Sequence, residues 1–254
     1  MVLTLDMGNT NITMGAFEKG KLVFDSHIAT DRSMMEDQYA VLIMDIMRLY
    51  GISGSDFDGA ILGSVVPVLD RCLSSAIFKV TGKIPIKIGP GTKTGVNIRI
   101  DNPAQLGADL LAGAVAGVSE YGSPCMIWDL GTATKVSVVD KNGTFSGGSI
   151  MPGVMTSLNS LVQSTSLLPN IGIDAPKQIV GKDTVSAMQS GIVFGTAAMI
   201  DGMIGRIENE LGYSLSIVAT GGFSKNIVKH CNRKIILDEN LLLHGLRILY
   251  EKNA

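Results

Sequence analysis

The sequence has 254 residues, of which 46% are hydrophobic and 17% charged, a balance typical of a globular chain with a substantial core. Its 21 basic and 23 acidic residues give a net charge of −2 and form no basic run, which argues against a nucleic-acid partner. The N-terminal "MVLTLDMGNT" lacks the basic start of a signal peptide, and no long uninterrupted apolar run predicts a membrane span. Three widely spaced cysteines are typical of reduced thiols, so we expect a cytoplasmic protein without a membrane partner.

The first half of the chain predicts strands and helices in a regular order. Short runs rich in Leu, Val, Thr and Ile predict strands, and apolar residues at helical spacing predict helices. In chain order we expect strands at 2–7, 10–17 and 20–28, a helix at 36–50, a strand at 59–67, a helix at 67–80, a strand at 85–88 and a helix at 103–119.

The second half repeats this order. We expect strands at 124–129, 133–140 and 143–150, helices at 152–163 and 183–211, a strand at 215–222, and helices at 224–230 and 240–252. Each half also has an Asp-x-Gly phrase after its first strand, "DMGNT" at 6–10 and "DLGTAT" at 129–134. A duplicated α/β domain explains both repeats, with halves at 1–116 and 117–254. Whether the last helix packs back on the first half stays open.

The paired turns predict a site for a polyphosphate. Each supplies a carboxylate for Mg²⁺ or another cation, a glycine that lets backbone N–H groups approach phosphate, and a hydroxyl donor. These residues are Asp6, Gly8 and Thr10 in the first turn and Asp129, Gly131 and Thr132 in the second. A single copy would be no more than a tight turn, but two copies at matched positions favour phosphate binding. The strand end "ATGG" at 219–222 could approach a nucleotide in the same site.

An apolar helix carries one acid. Asp109 is the only charge in "NPAQLGADLLAGAVAGV" at 102–118, which should be buried on most faces. A buried carboxylate is costly unless it is paired, hydrogen-bonded or lines a cavity. The alternative is an acid in the second turn that faces water and is helped by the helix dipole. We favour a functional carboxylate, suited to a general base that takes the proton of an attacking hydroxyl.

Taken in order, these motifs resemble the type III pantothenate kinases of the actin and sugar-kinase superfamily. The resemblance spans nearly the whole chain and includes, besides the two Asp-x-Gly phrases, "GSVVP" at 63–67, "TGVNIRIDNPAQLGAD" at 94–109, "GGSIMPG" at 147–153 and "GKDTVSAMQSGI" at 181–192. It implies duplicated ribonuclease-H-like, actin-like ATPase domains with ATP in an interdomain cleft. It also implies a homodimer that phosphorylates pantothenate to 4'-phosphopantothenate, the first step of coenzyme A biosynthesis.

The resemblance also implies the roles of particular residues. It places the ATP phosphates on Asp6, Met7, Gly8, Asn9, Thr10, Asn11, Ile12, Thr13 and Thr132. The glycines argued above from the turns and the strand end, Gly131, Gly221 and Gly222, complete the predicted ATP site. The pantothenate site would comprise Ile100, Gly107, Ala108, Asp109, Leu110 and Thr184, with Asp109 as the catalytic base. Mg²⁺ would lie at Asp6, directly or through water, and a monovalent cation, K⁺ or NH₄⁺, at Asp129.

Three departures from the family pattern leave alternatives open. The family usually has Arg where this chain has Leu110, Tyr where it has Ile100, and "GTATT" where it has "GTATK" ending at Lys135. The first two permit a kinase for a different small hydroxyl acceptor, or a catalytically degenerate nucleotide-binding regulatory paralogue. Strand alternation puts Lys135 on one face with Ser137. There it is either a solvated lysine or a relocated charge, which meets an anionic acceptor or takes the place of the cation near Asp129.

Overall fold

The computed structural model describes all 254 residues, which form two compact units, residues 1–119 with 240–254 and residues 120–239. The strands are β1 Val2–Met7, β2 Asn11–Glu18, β3 Lys21–Ala29, β4 Gly59–Ser64, β5 Ile86–Lys87, β6 Asn97–Ile98, β7 Cys125–Leu130, β8 Ala133–Val139, β9 Thr144–Pro152, β10 Ser216–Thr220 and β11 Ile236–Leu237. The helices are α1 Glu36–Leu49, α2 Asp70–Thr81, α3 Ala108–Tyr121, α4 Val154–Ser164, α5 Thr184–Leu211, α6 Ser224–Val228 and α7 Leu241–Asn253. Short 3₁₀ turns lie at Gly54–Asp56, Pro67–Leu69 and Pro103–Gln105.

The two units contain the same sheet. The strand order is β3-β2-β1-β4-β5 in the first unit and β9-β8-β7-β10-β11 in the second. In each, the first strand is antiparallel to the next along the chain and parallel to the strand on its other side. The duplicated α/β fold predicted from the repeated motifs is therefore confirmed.

Each sheet is covered by its own helices. In the first unit Leu3 and Leu5 of β1 are fully buried in one core with Tyr39 and Ile43 of α1. Helix α7 belongs to this unit and packs on β1, β2 and β4. In the second unit the buried Trp128 of β7 lies in a core cluster with residues of α4, α5 and α6. These cores hold the ends of β1 and β7, where the Asp-x-Gly phrases begin.

The helix predicted at 103–119 begins later than expected. Residues 103–105 form a separate 3₁₀ turn, Leu106 is extended with ψ of 120°, and α3 begins at Ala108. Asp109 therefore lies in the first helical turn, not the second, and it is buried rather than facing water. The two-residue strands β6 and β11 were not predicted, whereas β5, which is equally short, was predicted at 85–88.

Helix α5 is long and apolar enough, by length and composition, to cross a membrane. Its buried residues include Ile192, Val193, Ile200 and Ile204, which lie in the core cluster of the second unit. This burial is typical of a core helix.

Candidate active site

The first Asp-x-Gly turn, which joins β1 to β2, is fixed by backbone hydrogen bonds. The N–H of Gly8 donates to the carbonyl of Asn11 at 2.9 Å. Thr30 braces the turn from β3's end: its N–H donates to the carbonyl of Thr10 at 2.9 Å and its hydroxyl to the carbonyl of Gly8 at 2.8 Å. A methyl group on Gly8 would lie 3.0 Å from the Asn11 carbonyl oxygen. These hydrogen bonds fix the turn, and only glycine fits at position 8 without adjustment of the backbone around it.

The residues predicted to bind ATP here divide into two groups. The side chains of Met7 and Ile12 are fully buried in the core, so they can offer a ligand only their backbone. Asn9, Thr10 and Asn11 are exposed, and the Asn9 side-chain oxygen accepts a hydrogen bond from Arg32 at 3.2 Å. Asparagine and threonine at an exposed, braced turn present amide and hydroxyl donors suited to phosphate oxygens.

Asp109 lies near the same end of the first sheet. A methyl group on Gly63, the register partner of Asp6 in β4, would lie 3.7 Å from the Cβ of Ala108. The start of α3 therefore packs against the strand next to Asp6. The Asp109 residue is 8% exposed, and its Oδ1 accepts the N–H of Leu110 at 2.7 Å. The first unit thus brings the Asp6 turn and the predicted base to one edge of its sheet.

Gly107 makes room for the Asp109 carboxylate. A methyl group at position 107 would lie 2.5 Å from Oδ1 of Asp109, closer than any van der Waals contact allows. The carboxylate therefore folds back over the residue that precedes α3. The partial positive charge of a helix N-terminus stabilises an ionised carboxylate in this position.

The second turn, which joins β7 to β8, is one residue shorter than the first. Leu130 pairs with Thr134 across it, whereas Met7 pairs with Ile12 in the first unit. The carbonyl of Thr132 accepts the hydroxyl of Thr156 at 2.7 Å. A methyl group on Gly153 would lie 2.2 Å from that same carbonyl oxygen, so the chain entering α4 passes directly beneath the turn.

Asp129, at the end of β7, is enclosed by glycines and by a lysine. A methyl group on Gly221, at the end of β10, would lie 2.6 Å from Asp129 Oδ1, and one on Gly131 would lie 3.3 Å from it. The other carboxylate oxygen, Oδ2, lies 2.7 Å from Nζ of Lys135. The second unit therefore brings together Asp129, Gly131 and Gly221. Lys135 is an ion-paired residue rather than a solvated lysine.

The remaining predicted acceptor residues lie on both units. Ile100 and Leu110 are half-buried apolar residues on either side of the 3₁₀ turn. Thr184 is exposed at the first position of α5 in the second unit. The residue that caps this helix is Asp183, and hydrogen bonds from the backbone and hydroxyl of Ser186 hold the pKa of its carboxyl below the usual value.

Sequence reasoning missed three residues that shape the turns: Thr30, Gly153 and Thr156. Gly153 lies inside the family-like motif "GGSIMPG", and its Pro-Gly pair could have indicated a close backbone approach. No sequence signal identifies Thr30 or Thr156, because their hydroxyl groups bond to turn residues that are 22 and 24 positions away in the chain.

Comparison with known proteins shows the family of this chain. The family model described as type III pantothenate kinase matches residues 2–206. A curated relative from Bacillus cytotoxicus, named type III pantothenate kinase, is 42% identical over 254 residues, which cover 100% of this chain and 97% of that protein. The chain belongs to the type III pantothenate kinase family. It is therefore an ATP-using kinase, as predicted.

Solved structures support the fold of this family member. A protein described as a Baf family transcriptional activator from Campylobacter jejuni superposes with a TM-score of 0.60 at 19% identity, covering 99% of this chain and 98% of that one. Component A of the (R)-2-hydroxyglutaryl-CoA dehydratase of Acidaminococcus fermentans gives 0.58 at 15% identity, covering 98% and 96%. At these identities the likeness concerns the fold alone, and it confirms the predicted fold class.

Proposed function

We propose that this protein transfers the γ-phosphoryl group of ATP to the terminal hydroxyl of pantothenate, giving 4'-phosphopantothenate. The observation that carries the proposal is the placement of Asp109. It is a buried carboxylate, held by a backbone N–H at the start of a helix, at the sheet edge that also carries the Asp6 turn. Family membership supports pantothenate as the acceptor.

The candidate phosphate-binding elements are the braced turn of each unit and, in the second unit, the glycines that end β10. Of the predicted residues Asp6 to Thr13, the exposed Asn9, Thr10 and Asn11 contribute donors to the phosphates. In the second unit the corresponding candidates are Gly131, Thr132, Gly221 and Gly222. The chain contains no cluster of three or more His, Cys, Asp or Glu side chains that could hold a metal. A single carboxylate, Asp6, suits Mg²⁺, which takes its other ligands from phosphates and water and neutralises the charge on the transferred group.

Asp109 acts as the general base. The hydrogen bond from Leu110 and the space left by Gly107 hold the carboxylate in one orientation. In that orientation it accepts the proton of the acceptor hydroxyl as the oxygen attacks the γ-phosphorus. Orientation of the acceptor and stabilisation of charge, rather than covalent chemistry, supply most of the rate in such transfers.

The acceptor side supports one competing candidate. Ile100 and Leu110 are apolar and half-buried, and neither offers a cation to the carboxylate of pantothenate. A kinase for a neutral small hydroxyl compound would use the same base and the same ATP site. A panel of acceptors distinguishes the two candidates, because the ratio of kcat/KM values between acceptors reports which one the site recognises.

The test of the base is the Asp109→Asn variant. We expect kcat to fall by about 10²–10⁴-fold, since an amide cannot accept the proton, while ATP affinity stays within about twofold. The control is Asp101→Asn, which removes an exposed carboxylate eight positions earlier in the chain. Equal activities for the two variants would show that Asp109 is not the base.

We also propose a homodimer in the cytoplasm. Helix α5 exposes a stripe of small residues, and a methyl group on any of its glycines would meet no atom of this chain within 4 Å. The stripe consists of Gly191, Gly195, Ala198 and Gly202. Small residues let two helices approach closely, so Ala198→Glu should shift the sedimentation coefficient to that of a monomer. Asn209→Glu, on an exposed part of the same helix, should not.

The three cysteines are unpaired, which supports a reducing compartment. Burial raises the pKa of the Cys125 and Cys231 thiols to about 12. Such thiols are rarely ionised at neutral pH and are therefore weak nucleophiles.

A further inference from the structure

The second turn, which joins β7 to β8, is followed by a positively charged residue, Lys135. Lys135 stands directly opposite Asp129 in the antiparallel register of β7 and β8. Its Nζ lies 2.7 Å from Asp129 Oδ2, and the two side chains are only 18% and 12% exposed. Removing one partner from an ion pair this shielded costs far more than it does in a surface salt bridge.

The first turn has a neutral residue at the matching position. Thr13 stands opposite Asp6 in the register of β1 and β2, and its hydroxyl lies 3.1 Å from Nδ1 of His27. A lysine paired with the strand-end aspartate is therefore specific to the second turn and is not a general requirement of the duplicated hairpin.

A mobile monovalent cation does not fit well at Asp129. One carboxylate oxygen already contacts the ammonium, and the backbones of Gly131 and Gly221 lie close to the other. To bind there, K⁺ would have to displace Nζ, and this would leave a largely buried ammonium without its carboxylate. Removal of one partner from a shielded ion pair is strongly unfavourable.

We propose that the ammonium of Lys135 takes the place of a monovalent cation at Asp129, so that the kinase works without K⁺ or NH₄⁺. An ammonium group carries the same unit charge as these ions and is similar in size. Because it is tethered to β8, it is present at every turnover, and no ion has to be ordered when ATP binds. This inference rests on the proposed kinase function for its activity readout, but not for its binding readout.

The first measurement is the binding of Tl⁺, a spectroscopic substitute for K⁺, to the complete protein, detected by thallium NMR. The wild type should show no saturable Tl⁺ site, whereas Lys135→Thr, which leaves the Asp129 carboxylate without its ammonium, should bind Tl⁺ in competition with K⁺. Lys87→Thr is the matched control, because it removes a lysine from the largely buried Asp70 in the other unit. It should gain no such site.

The second measurement is kcat/KM in K⁺ and in tetramethylammonium at equal ionic strength. For the wild type, kcat/KM in the two salts should differ by less than about twofold. For Lys135→Thr, kcat/KM should be at least about tenfold higher in K⁺, which corresponds to about 1.4 kcal/mol. A wild type that binds Tl⁺, or that loses about tenfold in activity without K⁺, overturns the inference and leaves the kinase function standing.

Three further outcomes are informative. If Lys135→Thr folds but neither binds Tl⁺ nor responds to K⁺, the ammonium does not occupy a cation site and the inference is wrong. If no preparation turns over pantothenate, the proposed function fails, and the Tl⁺ titrations still decide the inference. If Lys135→Thr does not fold, the wild-type measurements decide it by themselves.

Discussion

Replacement of Gly221 by alanine tests whether the glycine pair after β10 shapes the Asp129 turn. Gly221 has a φ of 91°, and a methyl group there would lie 2.6 Å from Asp129 Oδ1 and 2.7 Å from the backbone nitrogen of Leu130. At the adjacent Gly222 a methyl group would meet no atom within 4 Å. The two glycines are therefore a matched pair.

The expected loss in the free energy of unfolding follows from two costs. A non-glycine residue in this backbone conformation costs about 1–3 kcal/mol. The overpacking against Asp129 and Leu130 adds about 1–3 kcal/mol. We expect Gly221→Ala to lose about 2–6 kcal/mol, and Gly222→Ala less than about 1 kcal/mol. Since the Asp129 carboxylate must also move, ATP affinity should fall by about tenfold or more in Gly221→Ala only.

Urea denaturation followed by tryptophan fluorescence is the appropriate assay. Trp128 is the single tryptophan, is fully buried, and precedes Asp129 in β7, so it reports on the unit that contains the substitution. Calorimetric titration with a non-hydrolysable ATP analogue gives the affinity. Equal losses for the Gly221 and Gly222 variants in both assays would refute the reasoning.

Three further predictions concern packing, pH and the acceptor. Gly245→Ala should destabilise the first unit by about 1–3 kcal/mol, because a methyl group there would lie 2.0 Å from the Ala112 carbonyl oxygen in α3. Urea unfolding monitored by circular dichroism measures this loss. A loss no larger than that of Gly89→Ala, where a methyl group would meet no atom within 4 Å, would contradict the prediction. Burial, and to a smaller extent Lys229, lowers the pKa of His230, so the folded state binds fewer protons and the free energy of unfolding should fall as pH drops below about 6.5. His230→Asn should flatten that dependence, and an unchanged slope would show that another group causes it. Thr184→Val should raise KM for pantothenate with kcat within about twofold; an unchanged KM would remove Thr184 from the acceptor site.

The order of the elements could be predicted from the sequence because the strands and helices are long enough to show their period. In β1, for example, the apolar residues Leu3, Leu5 and Met7 alternate with others and are all fully buried. The repeat then placed Asp6 and Asp129 at equivalent strand ends, where the structure has them. Periodicity failed for the two-residue strands β6 and β11, which are defined by their strand partners and not by local sequence.

The candidate site was harder to predict for two reasons: some contacting residues are far apart in the sequence, and one sequence signal is compatible with two local structures. Asn102-Pro103 is a valid start signal, but it begins a 3₁₀ turn, and the extended Leu106 delays α3 to Ala108. Alternation gave the face on which Lys135 lies, but not its partner. Its pairing with Asp129 depends on the length of the turn between β7 and β8, which sets the register.

The central claim is phosphorylation of pantothenate, and the most direct measurement is mass spectrometry of the products formed by the purified wild type with ATP and Mg²⁺. Pantothenate should be supplied together with a panel of neutral small hydroxyl compounds, so that acceptors compete for the site. We predict that 4'-phosphopantothenate is the main phosphorylated product. A different phosphorylated acceptor, or ATP binding with no phosphorylated acceptor at all, would contradict the claim.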